Sequence, residues 1–144
     1  MKVSTLLQKK GSHVHTIHPA ATIATAADAL AGSSIGALVV TDVVGEVVGM
    51  LSERDLVRGM HVHGGAVVAL TVADLMTRRV EVCAPEDTVN DLMRRMTVGR
   101  FRHMPVVEDG HLAGLVSIGD VVKSRIEEVE LESGVLRDCY LASR

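Results

Sequence analysis

The residues in this sequence best suited to chemistry are two copies of a serine followed three residues later by an aspartate. Ser52 precedes Asp55, and Ser117 precedes Asp120 at an offset of 65 residues. In each copy a glycine and an apolar, strand-like segment come before the serine, and a helix-like segment follows it. This spacing is typical of a helix cap, in which the serine accepts a backbone hydrogen bond and the aspartate suits the helix dipole. A plain cap of this kind would stabilise a helix by about 1 kcal/mol.

The same strand-to-helix corner could also bind a nucleotide. The free N–H groups at a helix start can hold a phosphate, and a nearby hydroxyl can add to them. A carboxylate one turn into the helix can accept hydrogen bonds from both ribose hydroxyls. Because strand-to-helix corners are common nucleotide sites and this one occurs twice, we interpret both as ligand-binding corners, with plain caps as the alternative.

The segments around the two corners form an internal duplication. Pro19 matches Pro85 at an offset of 66 residues, and Val39 matches Val106 at 67. Each half is predicted to contain a helix, a strand, a helix, two strands and a helix. Since such a unit leaves one sheet face uncovered, two units would bury those faces against each other with pseudo-two-fold symmetry. The expected fold is therefore α/β (α+β), built from two β-α-β-β-α repeats.

Periodicity and turn signals give the expected bounds of the elements. Gly32 and Gly99 are expected to end helices, and the pair Asp109-Gly110 to form a tight hairpin turn. Residues 61–65 are expected to be loop, and Gly134 to interrupt the last helix. We expect residues 1–70 to form the first repeat with an N-terminal helix, and residues 71–144 the second with a C-terminal helical extension. The predicted helices are 1–10, 22–30, 52–58, 71–76, 88–96 and from 117 onward, and the predicted strands are 14–17, 37–41, 47–51, 80–83, 104–107 and 112–116.

The composition excludes some classes of protein. The formal net charge is −3, with one Phe, one Tyr and no Trp, so the chain lacks the basic face and aromatic platforms of a nucleic-acid binder. No apolar stretch approaches the roughly 20 residues of a membrane helix, and no export signal is visible. Cys83 and Cys139 form no paired motif, so we expect reduced thiols and a cytoplasmic protein.

Four segments carry a resemblance to a known family. Gly49–Asp55 and Gly114–Asp120 follow the pattern glycine, apolar, any residue, apolar, serine or threonine, any two residues, aspartate. Ile35–Val40 and Arg102–Val107 match each other as the preceding strands. In this element order the chain resembles a tandem pair of cystathionine β-synthase (CBS) domains, or Bateman module, over roughly residues 14–129.

The resemblance implies a regulatory module and no enzyme. Such modules bind AMP, ADP, ATP, S-adenosylmethionine or a dinucleotide as a regulatory ligand, need no other cofactor, and pair through helices, which implies a homodimer. The output would pass to a regulated protein or into a change of the dimer. By matching motif positions, Asp55 and Asp120 would bind ribose hydroxyls, and Ser52 and Ser117 phosphate or ribose. Backbone contacts to the base are implied for Ile17, His18, Val82 and Cys83, and base slots for Ala37, Leu38, Met104 and Pro105.

The two implied sites differ in charge. Arg100, Arg102 and His103 precede the second corner, whereas residues 33–36 before the first contain no cation. Arg54, inside the first corner, can reach a phosphate in either site. A phosphorylated ligand prefers nearby cations, so the second site is predicted to bind AMP-like ligands more tightly, unless these arginines only form a solvated surface.

Three other functions are less well supported by the residues. The pairs His13-x-His15 and His61-x-His63 could bind a metal ion with Cys83 or Cys139, but two-histidine patterns are weak signals. No histidine accompanies either serine and no nucleophile elbow or P-loop occurs, so an enzyme is not expected. A ligand-free protein–protein interaction module is the remaining alternative, since several methionines could support an adaptable surface.

Overall fold

The structure is a computed structural model that describes residues 1–143 as two small β-sheets with surrounding helices, which confirms the expected fold class. A 3-10 helix at Gly64–Ala69 joins the third and fourth α-helices. In the described part the α-helices are α1 (Val3–Lys10), α2 (Ile23–Ser33), α3 (Glu53–His63), α4 (Val72–Leu75), α5 (Val89–Gly99) and α6 (Ile118–Ala142). The strands are β1 (Thr16–Ile17), β2 (Ala37–Thr41), β3 (Val47–Ser52), β4 (His103–Glu108) and β5 (His111–Ser117), in the sheet orders β1-β2-β3 and β4-β5. None of the helices in residues 1–143 is long and apolar enough to cross a membrane.

The hairpins β2–β3 and β4–β5 share the same register. A bulge interrupts the first ladder between Val40 and Thr41, and the second between Val106 and Val107. These positions are offset by 66 residues, so the offset of 67 predicted for the strands is wrong by one. The difference in length between the halves lies in the hairpin turns, because the corners themselves are 65 apart. The predicted tight turn at Asp109–Gly110 is confirmed, since both residues have the positive φ (51° and 79°) that such a turn requires.

Each hairpin packs its helices onto a separate aliphatic core. Side chains alternate along a strand, so β2 places Leu38 and Val40 in the first core. Ala37 and Val39 point to the opposite face and are also buried, which means that both faces of this strand are covered. The first core comprises Ile23, Ala26, Leu30, Leu38, Val40, Leu51, Val67 and Val72, and the second comprises Val3, Leu6, Cys83, Val89, Leu92, Met96, Met104, Val106, Val116 and Val121.

A short helix that precedes one repeat completes the core of the other. Helix α4 precedes the second repeat, but its Val72 lies in the first core and donates a backbone hydrogen bond to Ala21 at 2.8 Å. Helix α1 precedes the first repeat, but its Val3 and Leu6 lie in the second core. The backbone N–H of Val3 donates to the Asp87 carbonyl at 2.9 Å. The two halves are therefore joined by a reciprocal exchange of helices.

The predicted strand at residues 80–83 is wrong. Thr77 and Met50 exchange two backbone hydrogen bonds at the edge of the first sheet, and Cys83 bridges Val106 in the second sheet. The intervening residues 78–82 cross from one sheet to the other, so they have no ladder to join. The first predicted strand is also shorter than expected, because only Thr16–Ile17 pairs with β2.

Several helices end later than predicted. Helix α3 continues through the expected loop to His63 and stops where Gly64 adopts a φ of 59°. Helices α2 and α5 end at the left-handed residues Ser34 and Arg100 rather than at the preceding glycines. Helix α6 continues past Gly134, which costs only about 1 kcal/mol in a helix interior.

Candidate functional site

The first corner is a complete capping box at the start of α3. The backbone N–H of Ser52 donates to Asp55 Oδ2 at 2.9 Å, and the Ser52 hydroxyl donates to the same oxygen at 3.1 Å. The Asp55 N–H in turn donates to Ser52 Oγ at 3.3 Å. The other carboxylate oxygen, Oδ1, has no hydrogen bond within residues 1–143 and is available to a ligand.

The second corner has the same cap but a different occupant. Ser117 donates its backbone N–H to Asp120 Oδ2 at 2.9 Å, and Asp120 returns an N–H to Ser117 Oγ at 3.1 Å. The Lys10 ammonium, at the end of α1, donates to Asp120 Oδ2 at 2.5 Å and to the Leu115 carbonyl at 2.7 Å. Burial raises the pKa of the Asp120 carboxyl, but the hydrogen bonds from Lys10 and Ser117 outweigh it, so the pKa is lowered overall. This carboxylate is therefore already paired within the chain.

A cavity of about 550 Å³ opens beside the first corner. One wall is the corner itself, with Ser52 and Asp55, and the opposite wall is the segment Gly99–His103 that leads into β4. The crossing residues 77–81 form the third side. A volume of this size lies within the range of small-ligand pockets.

Five arginine side chains line this cavity, although the chain as a whole is acidic. Within residues 1–143 none of the five makes an ion pair. The acidic lining residues are Glu53, Asp55 and Glu81, and Arg95 holds Glu81 from outside the cavity at 2.6 Å. The cavity therefore has an excess of uncompensated positive charge, which favours an anionic ligand. The five arginines are Arg54, Arg58, Arg79, Arg100 and Arg102.

Comparison with known protein families identifies the repeated unit. The model of the CBS domain matches residues 8–62 and again residues 72–127. The chain belongs to the CBS-domain family. The two matched segments contain the two corners, so the chain carries a tandem CBS pair, as the sequence resemblance implied.

Three relatives set this CBS pair in context. A CBS-domain containing protein of Agrobacterium tumefaciens is 48% identical, with a TM-score of 0.83 over 86% of this chain and 92% of that one. CBSX2, solved in complex with AMP, is 25% identical with a TM-score of 0.73, over 88% of this chain and 96% of that one. The mitochondrial CBS domain-containing protein CBSX3 of Arabidopsis thaliana is 37% identical over 112 residues, which is 74% of this chain and 54% of the plant protein. The chain thus spans about half the length of that relative.

The CBS pair brings six of the predicted site residues together around the cavity. The others lie elsewhere: Leu38, Cys83, Met104 and Pro105 are buried, and Ser117 and Asp120 form the second corner. His18 is exposed, and its Nδ1 accepts the Ala20 N–H at 3.0 Å. Ile17 and Val82 do not line the cavity. The six that do are Ala37, Ser52, Arg54, Asp55, Arg102 and His103.

The structure groups the cations of the second CBS repeat with the first corner. Arg100, Arg102 and His103 line the cavity that contains Asp55, whereas the sequence interpretation assigned them to the site of Asp120. The reason is the pseudo-two-fold axis, which places the start of β4 next to the start of β2. A methyl group built on Gly36 would lie 3.4 Å from His103 Cε1. A strand that begins beside one corner therefore presents side chains to the other.

Sequence reasoning missed several residues of the cavity. Arg58 lies one turn after Asp55 on α3, so its helical spacing was the available signal. Thr77 and Arg79 come from the crossing segment, whose position depends on the exchange of helices. No sequence pattern predicted that this segment would form a wall of the site.

His103 lies between the two corners and is half-buried. Burial lowers the pKa of its imidazole; Lys10 and Arg102 act in the same direction, while Asp120 and Glu53 act against them. The net result is a pKa below the ordinary value, so His103 is neutral at pH 7. It can then donate or accept a hydrogen bond without adding a charge.

We expect His103 to make the stability of the protein depend on pH. The unfolded chain takes up the proton near the ordinary histidine pKa of about 6.5, and the folded chain only at lower pH. The unfolded state therefore binds more protons as the pH falls through 6.5, and this contribution to stability is lost. Urea unfolding of wild type and His103→Gln at pH 7.5 and 5.5 would measure it. A stability difference between the two proteins that is the same at both values would contradict the expectation.

The metal alternative has no assembled site in the described part of the chain. No group of three or more His, Cys, Asp or Glu side chains within residues 1–143 could hold a metal ion. His13 and His15 stack edge to face at 4.8 Å. Burial raises the pKa of the Cys83 thiol to about 12, so this side chain stays protonated and is a poor ligand.

Proposed function

We propose that this CBS pair is a regulatory module that binds a phosphorylated adenosine compound in the cavity beside Asp55. The observation that carries the proposal is the convergence of five unpaired arginines on a corner whose aspartate keeps one oxygen free. The carboxylate suits the ribose hydroxyls, and the guanidinium groups suit phosphate, which they can bind with two parallel hydrogen bonds. The complex of the related CBSX2 with AMP supports the same class of ligand.

The proposed roles follow from the walls of the cavity. Asp55 Oδ1 would accept from the ribose, and the start of α3 at Ser52 would face a phosphate. Arg54, Arg100 and Arg102 would neutralise the phosphate charge. Ala37, Met50 and Val80, which line the same cavity, would contact the base.

The charge of the cavity also ranks the ligands. Five arginines against three acidic residues favour AMP, ADP, ATP or a dinucleotide over S-adenosylmethionine, whose sulfonium is positively charged. The second corner, with Ser117 and Asp120, is proposed as a second site that Lys10 closes in the absence of ligand. No redox or metal cofactor is part of the proposal.

The ligand would act by shifting a population. Binding changes the arrangement of the module only if the ligand binds one arrangement better than another, and a regulated protein or a homodimer would read the change. A binding role, without turnover, agrees with the family and with the absence of a nucleophile–base pair in the motifs. A cytoplasmic location belongs to the same proposal, since a reducing compartment would keep Cys83 and Cys139 as thiols.

A thermal-shift panel with AMP, ADP, ATP, NADH and S-adenosylmethionine tests this function. A ligand at about 100 times its Kd adds nearly 3 kcal/mol of stability, so the nucleotides should raise Tm by several degrees and S-adenosylmethionine by less. Arg102→Ala should reduce the shift. The matched control Arg94→Ala, exposed on α5 outside the cavity, should not. No shift with any ligand, or a shift with S-adenosylmethionine alone, would contradict the proposal.

A further inference from the structure

Helix α6 extends well beyond the body of the CBS pair. Its first turns pack onto the second core, where Val121 and Ser124 are buried. From residue 130 to residue 143 every side chain is exposed. The last part of this 25-residue helix therefore has no packing partner in the described chain to offset its apolar exposure.

The exposed face of α6 carries an apolar stripe with coiled-coil spacing. Successive members are four, three, four, three and four residues apart, which is the alternation of positions d and a in a heptad repeat. The only polar member is Ser133, in a central a position. The stripe consists of Val122, Ile126, Val129, Ser133, Leu136 and Tyr140, of which the apolar members are between 44% and 71% exposed.

We propose that this stripe is a homodimer seam in which the α6 helices of two copies pair in parallel and in register. In a parallel pair, each g position faces the e position five residues further along the partner helix. Arg125 at g would then face Glu130, and Glu132 at g would face Arg137. Both contacts join opposite charges, and two-fold symmetry makes each of them twice. The occupant of the stripe is thus a second copy of this chain.

The antiparallel alternative lacks this complementarity. An antiparallel pair aligned on the same stripe brings Glu130 next to its own copy and Glu132 next to its own copy. Like charges in such positions destabilise the pairing. Within residues 1–143, Glu130, Glu132 and Arg137 have no ion pairs, so they are available to a partner.

The body of the CBS pair leaves the seam accessible. Val121 and Ser124, which face the body, lie on a different side of α6 from the stripe, because neighbouring residues are about 100° apart around a helix. Arg125 already contacts Glu128 at 3.3 Å, but its guanidinium has further donors for Glu130 of the partner helix. The seam does not depend on ligand binding and goes beyond the proposed function.

Matched leucine variants test the seam in the full chain. Leu136 is in the stripe and 71% exposed, whereas Leu131 is outside it and 70% exposed. Analytical ultracentrifugation should find a wild-type dimer, a Leu131→Glu dimer, and a Leu136→Glu protein whose dimer Kd is about 100-fold higher or more. Circular dichroism should be unchanged, because both side chains are exposed. A monomeric wild type, or equal effects of the two variants, would overturn the proposal.

A disulfide scan and a charge exchange test the parallel register. With Cys139→Ser as background, Leu136→Cys should oxidise readily to a covalent dimer, because position 136 meets itself only in a parallel pair. Glu132→Arg should weaken the dimer, and adding Arg137→Glu should restore it. Crosslinking only in a mixture of Ile126→Cys and Leu136→Cys proteins would indicate antiparallel helices and refute the register.

Discussion

Asp55→Ala is expected to weaken the binding of a phosphorylated adenosine ligand about 100-fold, as measured by titration calorimetry. In the capping box, Oδ2 of Asp55 already accepts two hydrogen bonds from Ser52, at 2.9 and 3.1 Å. The free Oδ1 faces the cavity and would accept from the ribose. Alanine removes these charge-assisted bonds, each of which contributes about 1.5–3 kcal/mol.

Two further aspartates serve as controls for this variant. Asp55→Ala also removes a helix cap, which costs about 1 kcal/mol of stability. Asp74 receives the backbone N–H of Thr71 at 2.9 Å in a similar cap but does not line the cavity, so Asp74→Ala should lose stability and keep affinity. If Asp120→Ala abolishes binding while Asp55→Ala retains it, the ligand occupies the second corner, as the sequence alone suggested.

Lys10→Met is expected to raise the number of ligand molecules bound per chain from one to two. In the wild type the Lys10 ammonium occupies Asp120 Oδ2 and the Leu115 carbonyl, so a ligand must displace it before reaching the second corner. Methionine keeps the length of the side chain and removes the charge. The freed aspartate would then be open to a ribose, as Asp55 already is.

The stoichiometry from calorimetry, with Lys9→Met as control, checks this prediction. Lys9 is exposed on the same helix and makes no ion pair within residues 1–143, so its replacement should leave one ligand per chain. Two ligands per wild-type chain, or one per Lys10→Met chain, would show that Lys10 does not close the corner. A wild type that binds none would instead contradict the proposed function itself.

The features that could be predicted from the sequence are those determined by short-range chemistry. Both capping boxes, at Ser52 and Ser117, follow from a serine and an aspartate three residues apart. The Asp109–Gly110 turn follows from the ease with which these residues adopt positive φ. The duplication itself was visible because the same local patterns recur in the same order.

The grouping of residues around the cavity depends on long-range packing and could not be predicted in the same way. Arg100 and Arg102 belong to one repeat and Asp55 to the other, and only the pseudo-two-fold axis brings them together. Lys10 reaches Asp120, 110 positions further along the chain, because α1 packs onto the second core. Local spacing carries no information about which repeat a helix will complete.

The helix ends show the same limit at a smaller scale. Gly32 and Gly99 were expected to stop their helices, yet the left-handed residues are Ser34 and Arg100, at φ of 52° and 56°. These two positions are equivalent in the duplication, so the packing of the following strand, rather than a glycine, determines where each helix stops. Such a conformation costs a non-glycine residue about 1–2 kcal/mol, which the tertiary structure must offset.

The exchange of α1 and α4 means that the unit copied in the gene is out of phase with the unit that folds. Val3 and Leu6 are encoded before the first repeat but fill the interior of the second, and Val72 does the reverse. The chain is in this sense a closed ring of two links, in which each link is fastened by a piece of its neighbour. A single repeat cut out at the boundary of the duplication would lack its own fastener and carry one that fits nowhere. The pair is therefore the smallest unit that selection, or a protein engineer, can move from one chain to another.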